Sequence, residues 1–131
     1  MTHIVIDTHV WFWAIFETDK LPTHLQTLVS GSTTVSIATV SIYEIGQKVC
    51  LNRWPGMDRE RLDSLIADAD GRFELWPVTP EIAQQASLMD WDHCDPFDRM
   101  IAATALALGA PLVSRDATFD GCPGLERVWG E

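Results

Sequence analysis

Short apolar runs alternate with helical stripes along this chain. His3-Ile4-Val5-Ile6 is a compact run that reads as a buried strand. Val10 to Phe16 is apolar and rich in aromatics, and reads as a helix start. Pro22 suits the first position of a second helix, which Gly31 would end. Thr34 to Ile37 is β-branched and predicts a second strand. Ile42, Ile45 and Val49 form a helical stripe over Ser41 to Cys50, and Asn52-Arg53-Trp54-Pro55-Gly56 breaks it. Leu62, Leu65, Ile66 and Ala69 recur at helical spacing over Asp58 to Ala69. Phe73 to Val78 predicts a third strand, and Thr79-Pro80-Glu81 opens a helix with a capping hydroxyl, an early proline and an early acid. Asp90 to Asp95 is a polar loop around Trp91. Pro96 opens a helix through Leu108 that Gly109 ends. Pro111 to Ser114 predicts a fourth strand, and Val128-Trp129 a short last one.

Strands separated by helices predict right-handed crossovers and a parallel sheet, hence an α/β domain. In such sheets the ligand site lies outside the carboxyl ends of the strands. Ile4-Val5-Ile6 stops at Asp7, and Leu112-Val113-Ser114-Arg115 stops at Asp116. Glu44 and Asp98 sit near the starts of predicted helices. Four carboxylates can therefore converge at one sheet edge. Two like charges about 4 Å apart repel by roughly 4 kcal/mol at an effective dielectric near 20. Such a group protonates or splays unless a divalent cation holds it. Oxygen-only ligands favour Mg²⁺ or Mn²⁺ over zinc.

Each acid also has a structural use. Asp7 can cap the helix that follows it. Ser41-Ile42-Tyr43-Glu44 matches a capping box, and a Glu folded back on its own helix start does not easily reach a cation. Asp95 and Asp98 both suit a first helical turn, with Asp95 as the cap and Asp98 facing the sheet edge, since Ile101 and Ala102 follow on its face. Asp116 suits a turn. Thr8 and Ser114 adjoin the acids and could bond a carboxylate, a phosphate or the local backbone. Arg99 and Arg115 directly follow two of the acids, and serve either phosphate or structural ion pairs. His9 has no evident Ser or Cys nucleophile and reads as packing or surface. Trp11, Phe12 and Trp13 are consecutive and cannot share one helix face, which predicts core plus a partner or dimer surface, with base stacking as a lesser use.

Composition narrows the classes. The 131 residues suit a single domain over 1–131, with nearly half apolar and enough for a core. Nineteen acids against nine bases give a net charge of −10, which excludes a general nucleic-acid-coating surface. It suits a metal site, a basic partner or simple solubility. Cys50, Cys94 and Cys122 form no disulfide or zinc spacing and read as free thiols in a reducing compartment. The start lacks a basic leader, Asp7 interrupts the first apolar stretch, and no run reaches membrane-spanning length. A cytoplasmic protein with no membrane partner is expected.

The motifs, taken together, resemble the PIN-domain family, and specifically the VapC-type toxins of bacterial toxin–antitoxin pairs. The matching segments are Ile6-Asp7-Thr8-His9-Val10-Trp11, Ser41-Ile42-Tyr43-Glu44-Ile45, Asp95-Pro96-Phe97-Asp98-Arg99-Met100-Ile101-Ala102-Ala103 and Leu112-Val113-Ser114-Arg115-Asp116. Thr79-Pro80-Glu81-Ile82-Ala83 and Pro123-Gly124-Leu125-Glu126 also read like the family. Each motif alone is weak, while the set is specific and spans essentially the whole chain in order. Ser114 stands where the family often has Thr, and Tyr43 where this branch often has Trp. Neither departure removes a carboxylate.

The resemblance implies a three-layer α/β/α PIN-like domain with a central parallel sheet of four to five strands. It implies a Mg²⁺-dependent endoribonuclease, with Mn²⁺ as a possible substitute and RNA as substrate. Its core acids map onto Asp7, Glu44 and Asp98, and its more variable fourth onto Asp116. On this reading Asp7 and Asp98 are central ligands of one or two ions, Glu44 acts through water or orients the nucleophile, and Asp116 completes a second site. The resemblance further implies a cognate VapB-type antitoxin with a basic tail, a homodimer, and operator DNA bound only through the antitoxin. Two rivals stand beside it. One is a phosphohydrolase using Asp7 as nucleophile, of the haloacid-dehalogenase type, which would want an acid where His9 stands and a lysine on a late strand; the only lysines are Lys20 and Lys48. The other is a PIN-like fold kept as a non-catalytic binding or regulatory module.

Overall fold

The computed structural model describes residues 3–31 and 33–130. Its strands are β1 (His3–Ile6), β2 (Thr34–Ala38), β3 (Glu74–Trp76), β4 (Leu112–Val113) and β5 (Arg127–Val128). Its α-helices are α1 (Thr8–Phe16), α2 (Thr23–Ser30), α3 (Val40–Cys50), α4 (Arg59–Ala69), α5 (Pro80–Leu88) and α6 (Pro96–Leu108). The strands form one sheet in the order β3-β2-β1-β4-β5, with every pairing parallel. The chain builds outward from β1 through β2 to β3, then returns to the other side of β1 with β4. The switch point of the sheet therefore lies between β1 and β4, where an open parallel sheet leaves a crevice at its carboxyl edge.

Side chains alternate across the sheet and divide the core in two. Ile4, Ile6, Val35, Ile37 and Val113 face a cluster completed by Val10 and Trp11 of α1, Leu25 of α2 and Leu65 of α4. Val5, Ala38 and Leu112 face the opposite cluster, filled by Ile101, Ala102 and Ala105 of α6. Helices thus cover both faces, as the three-layer expectation has it. No described helix is long and apolar enough to cross a membrane.

The helix starts follow local capping chemistry. The side chains of Asp7, Asp58, Thr79 and Asp95 accept the first free N–H groups of α1, α4, α5 and α6. Because Asp7 caps, α1 begins at Thr8 and not at Val10. Pro22 lies just outside α2, where its carbonyl accepts from Leu25 and Gln26. Gly109, at φ +62, ends α6 in the left-handed conformation that a glycine tolerates best. The third strand is shorter than Phe73 to Val78. It lies at the sheet edge, and Pro77 follows Trp76 with no N–H to continue the ladder. The last strand falls on Arg127–Val128, one residue before its predicted place. Two 3₁₀ turns, Thr18–Lys20 and Ala117–Gly121, have no hydrophobic period and were not predicted.

Two aromatic and basic expectations are corrected. Trp11, Phe12 and Trp13 are all buried, so none of them forms a partner surface. Helix α1 is apolar nearly all round because Phe16 and Trp54 cover Phe12, while Trp129 and the Arg115 guanidinium cover Trp13. Arg99 makes no ion pair among the described residues. Its guanidinium donates instead to four backbone carbonyls: Ala86 from Nε at 2.8 Å, Met89 from Nη2 at 2.7 Å, and Trp91 and His93 from Nη1 at 2.5 and 2.9 Å. One fork therefore pins the end of α5 and the loop that leads into α6.

Lysine keeps the charge of Arg99 but not the planar fork. Arg99→Lys should lose two or three of these bonds, about 2–3 kcal/mol, and lower Tm by roughly 5–10 °C in a thermal melt. An unchanged Tm would show that the fork carries no stability.

Candidate active site

A cleft of about 420 Å³ opens at the carboxyl edge of the sheet and is lined by Asp7, Glu44, Asp95, Asp98 and Asp116 among others. Asp7 reaches it from the end of β1 and Asp116 from the loop after β4. Glu44 enters from one turn inside α3, and Asp98 from the first turn of α6. All four acids singled out from the sequence therefore border one cleft, with Asp95 beside them.

Short hydrogen bonds hold these carboxylates in place. Asp7 accepts the Val10 N–H at Oδ1 and the Ser114 hydroxyl at Oδ2. Ser114 Oγ in turn accepts the Asp116 N–H at 3.0 Å, which ties the end of β4 to the end of β1. Arg127 steadies the same loop, pairing with both oxygens of Asp120 and donating to the Ser114 carbonyl. Asp116 accepts the Thr118 N–H as cap of the 3₁₀ turn, so its turn role and its place on the cleft coexist. Asp95 caps α6 through the Phe97 and Asp98 N–H groups.

Glu44 does not cap its helix. Helix α3 starts at Val40 with Thr39 as N-cap and no side-chain cap, so the capping box read in Ser41 to Glu44 is absent. Starting before Ser41 places Ser41 and Glu44 inside the helix, both buried. The Thr8 hydroxyl lies 2.6 Å from Glu44 Oε1 and 2.9 Å from Ser41 Oγ. A hydroxyl has one proton to give. It goes to the carboxylate, and Ser41 donates to Thr8. Lys48 donates to Glu44 Oε2 at 3.2 Å. Both Glu44 oxygens thus have a protein partner.

The electrostatics are strained. Burial, the largest cause, pushes Asp7 up to about 6 against the bonds from Ser114 and Val10, and the Asp98 and Glu44 charges add to the rise. Burial also pushes Asp98 up to about 6, opposed by its bond from His93 and reinforced by Asp95 and Glu44. Asp116 is more open, and its bonds from Thr118 hold it below the usual carboxylate range.

His93 is the neighbour of these acids that sequence reading missed. Its Nε2 lies 2.7 Å from Asp98 Oδ2, and donor atoms of His93, Asp95 and Asp98 all lie within 4.8 Å of one another. Residues 90–95 read only as a polar loop. The one available signal was a histidine two residues before the cap of the acid-bearing helix, which sequence alone does not distinguish from a surface residue.

Basic side chains enter the same cleft. His9, Lys48 and Arg115 all line the cleft. The His9 ring stacks on Trp54 at 4.6 Å, and the Lys48 ammonium lies 5.5 Å from the same Trp. Burial and then the Lys48 charge lower the His9 pKa. Arg115 lies over Trp13 at 5.0 Å and makes no ion pair among the described residues, so of its two sequence readings the structural pair is absent.

A divalent cation fits this donor set. The donors are carboxylate oxygens, which suit Mg²⁺ and Mn²⁺. Two of them, Asp7 and Asp98, are partly buried with too little positive charge nearby to keep an ordinary pKa.

Known proteins resemble this chain throughout. It is 27% identical over 123 residues to Ribonuclease VapC22 of Mycobacterium tuberculosis, covering 88% of each protein. Its fold is similar to that of VapBC2 from Rickettsia felis, solved bound to a DNA fragment from their promoter, with a TM-score of 0.71, 19% identity, and 98% and 99% of the two chains covered. VapBC-5 of Mycobacterium tuberculosis matches with a TM-score of 0.66 and 22% identity over 99% of this chain and 100% of that one. VapC20 of the same organism, a sarcin-ricin loop cleaving toxin, matches with a TM-score of 0.66 and 20% identity over 97% and 99%. The family model for the PIN domain matches residues 4–124, and the chain belongs to the PIN-domain family.

Proposed function

We propose that this chain is a divalent-metal-dependent endoribonuclease, the toxin half of a VapBC-type toxin–antitoxin pair acting in the cytoplasm. The observation that carries the reading is the gathering of Asp7, Glu44, Asp98 and Asp116 around one cleft at the switch point of the sheet. The likeness to proteins named ribonuclease and VapC supports it.

Asp7 and Asp98 would hold Mg²⁺, or Mn²⁺ in its place. Such an ion supplies Lewis-acid activation of the scissile phosphate and of the attacking water. Glu44, whose charge the Lys48 ammonium already offsets and whose other oxygen takes the Thr8 hydroxyl, would orient that water rather than bind directly. Asp116, the most open of the four, would serve a second ion or a bridging water. Arg115 would take a phosphate of the RNA strand, because it is a cation in the cleft with no acid of its own. With a net charge of −10, the protein would hold RNA by these few contacts and not by a basic surface. The same acidic cleft suits the basic tail of a VapB-type antitoxin. The chain would form a homodimer and meet operator DNA only through the antitoxin; the likeness to VapBC complexes, two of them solved on DNA, supports the second of these.

Three outcomes test this reading. RNA cleavage should require Mg²⁺ or Mn²⁺ and stop in EDTA, and Asp7→Asn or Asp98→Asn should lower the rate roughly 100-fold or more, about 2.7 kcal/mol of barrier. Cleavage that persists in EDTA, or a fully active Asp98→Asn variant, would sink the metal mechanism.

Stability gives an independent check. Asp7 holds its proton more tightly folded, at about 6, than at its ordinary 3.8. Its contribution to stability is therefore lost as pH rises from about 4 to about 6, by up to about 3 kcal/mol in the metal-free protein. Asp7→Asn, which still caps α1, should melt higher than wild type at pH 7.5 without metal and about equally at pH 4. Added Mg²⁺ should stabilise wild type more than the variant. The same Tm gap at both pH values would refute the assigned strain.

Arg115→Gln should weaken binding of single-stranded RNA and reduce the salt slope of log K by about 0.7, the value for one lost phosphate contact. An unchanged slope would remove Arg115 from the RNA contacts.

A further inference from the structure

Asp98 is held by more than its helix. His93 Nε2 donates to Oδ2 at 2.7 Å, while Oδ1 has no protein hydrogen-bond partner among the described residues. The donor is itself held at its ring and at its backbone. The His93 ring packs on Trp91 at 4.9 Å, and buried Trp91 packs on Phe119 at 5.8 Å, beneath the turn that Asp116 opens. Arg99 Nη1 holds the carbonyls of both Trp91 and His93. This is more anchorage than a loop joining α5 to α6 requires for connection alone.

We propose that His93 is a positioning residue of the cation site: it holds Asp98 by Oδ2 so that Oδ1 is presented to a divalent cation in the cleft. The assignment rests on the proposed nuclease site. A bond from a fixed neighbour orients a ligating carboxylate and removes the freedom that ion binding would otherwise have to take away. His93 does not serve as a ligand in its own right. Its Nε2 is already directed at Asp98, and the third member of that cluster, Asp95, gives Oδ1 to the Phe97 and Asp98 N–H groups as the α6 cap.

Mg²⁺ affinity of the full chain, measured by calorimetry without RNA, tests this directly. His93→Ala should weaken Mg²⁺ binding about 10-fold or more. His93→Phe keeps the ring on Trp91 but has no donor, and should show the same loss with a metal-free Tm close to wild type. It carries the comparison if the alanine variant does not fold. His93→Gln keeps an N–H donor and should recover most of the affinity. Wild-type Mg²⁺ affinity in His93→Phe would overturn the assignment. So would a Gln variant as weak as Phe, or an Asp95→Asn loss as large as that of Phe, since either makes His93 a ligand. A wild-type protein that binds no Mg²⁺ would overturn both this assignment and the nuclease reading, whereas unaltered binding in the His93 variants would overturn this assignment alone.

Discussion

Taking Asp7, Glu44 and Asp98 out of water and setting them beside one another is unfavourable, and the architecture around the cleft holds them there regardless. Burial alone drives Asp7 and Asp98 toward protonation, and their neighbours' charges push the same way. Their backbones cannot yield. Asp7 terminates the central strand and Asp98 sits in the first turn of a capped helix packed on the sheet. The nearby donors, Ser114, Thr8 and His93, each relieve one oxygen and fix its direction, yet none cancels the charge as a cation would. Among the described residues, Lys48 is the only lysine or arginine bonded to any of these three carboxylates.

The cleft is consequently mixed in charge. Arg115 stands beside Asp116 on the loop after β4, and Lys48 stands one turn from Glu44 on α3. On the proposed nuclease reading, a bound cation and these two basic side chains would supply local attraction for a phosphodiester, without a basic surface that would hold any nucleic acid.

Much of this was readable from residue pattern. Acids at the ends of the first and fourth strands place a site at the carboxyl edge of a parallel sheet by topology alone, and the spacing of Asp95, Pro96 and Asp98 separates a cap from an acid left free. What was not readable depends on contacts between distant segments. Ser41-Ile42-Tyr43-Glu44 satisfies a capping pattern, but the helix starts two residues earlier than that cap would have it, and Glu44 bonds instead to Thr8, thirty-six positions away. Three consecutive aromatics would expose one face of a lone helix. Here Trp54 and Trp129 close over them from remote loops. Arg99 looks like a phosphate or ion-pair residue because it follows an acid, whereas its length lets it reach four carbonyls across the α5–α6 connection. His93 has no pattern at all. Only the folded loop brings it to Asp98.

On the proposed reading, the partly buried Asp7 and Asp98 together make a cation site. The most direct measurement is a crystal grown with Mn²⁺ and examined by anomalous scattering. The account predicts an anomalous peak within about 2.0–2.4 Å of carboxylate oxygens from both Asp7 and Asp98. A peak bound by His93 and Asp95 away from Asp7, or no peak in the cleft at saturating Mn²⁺, would contradict it.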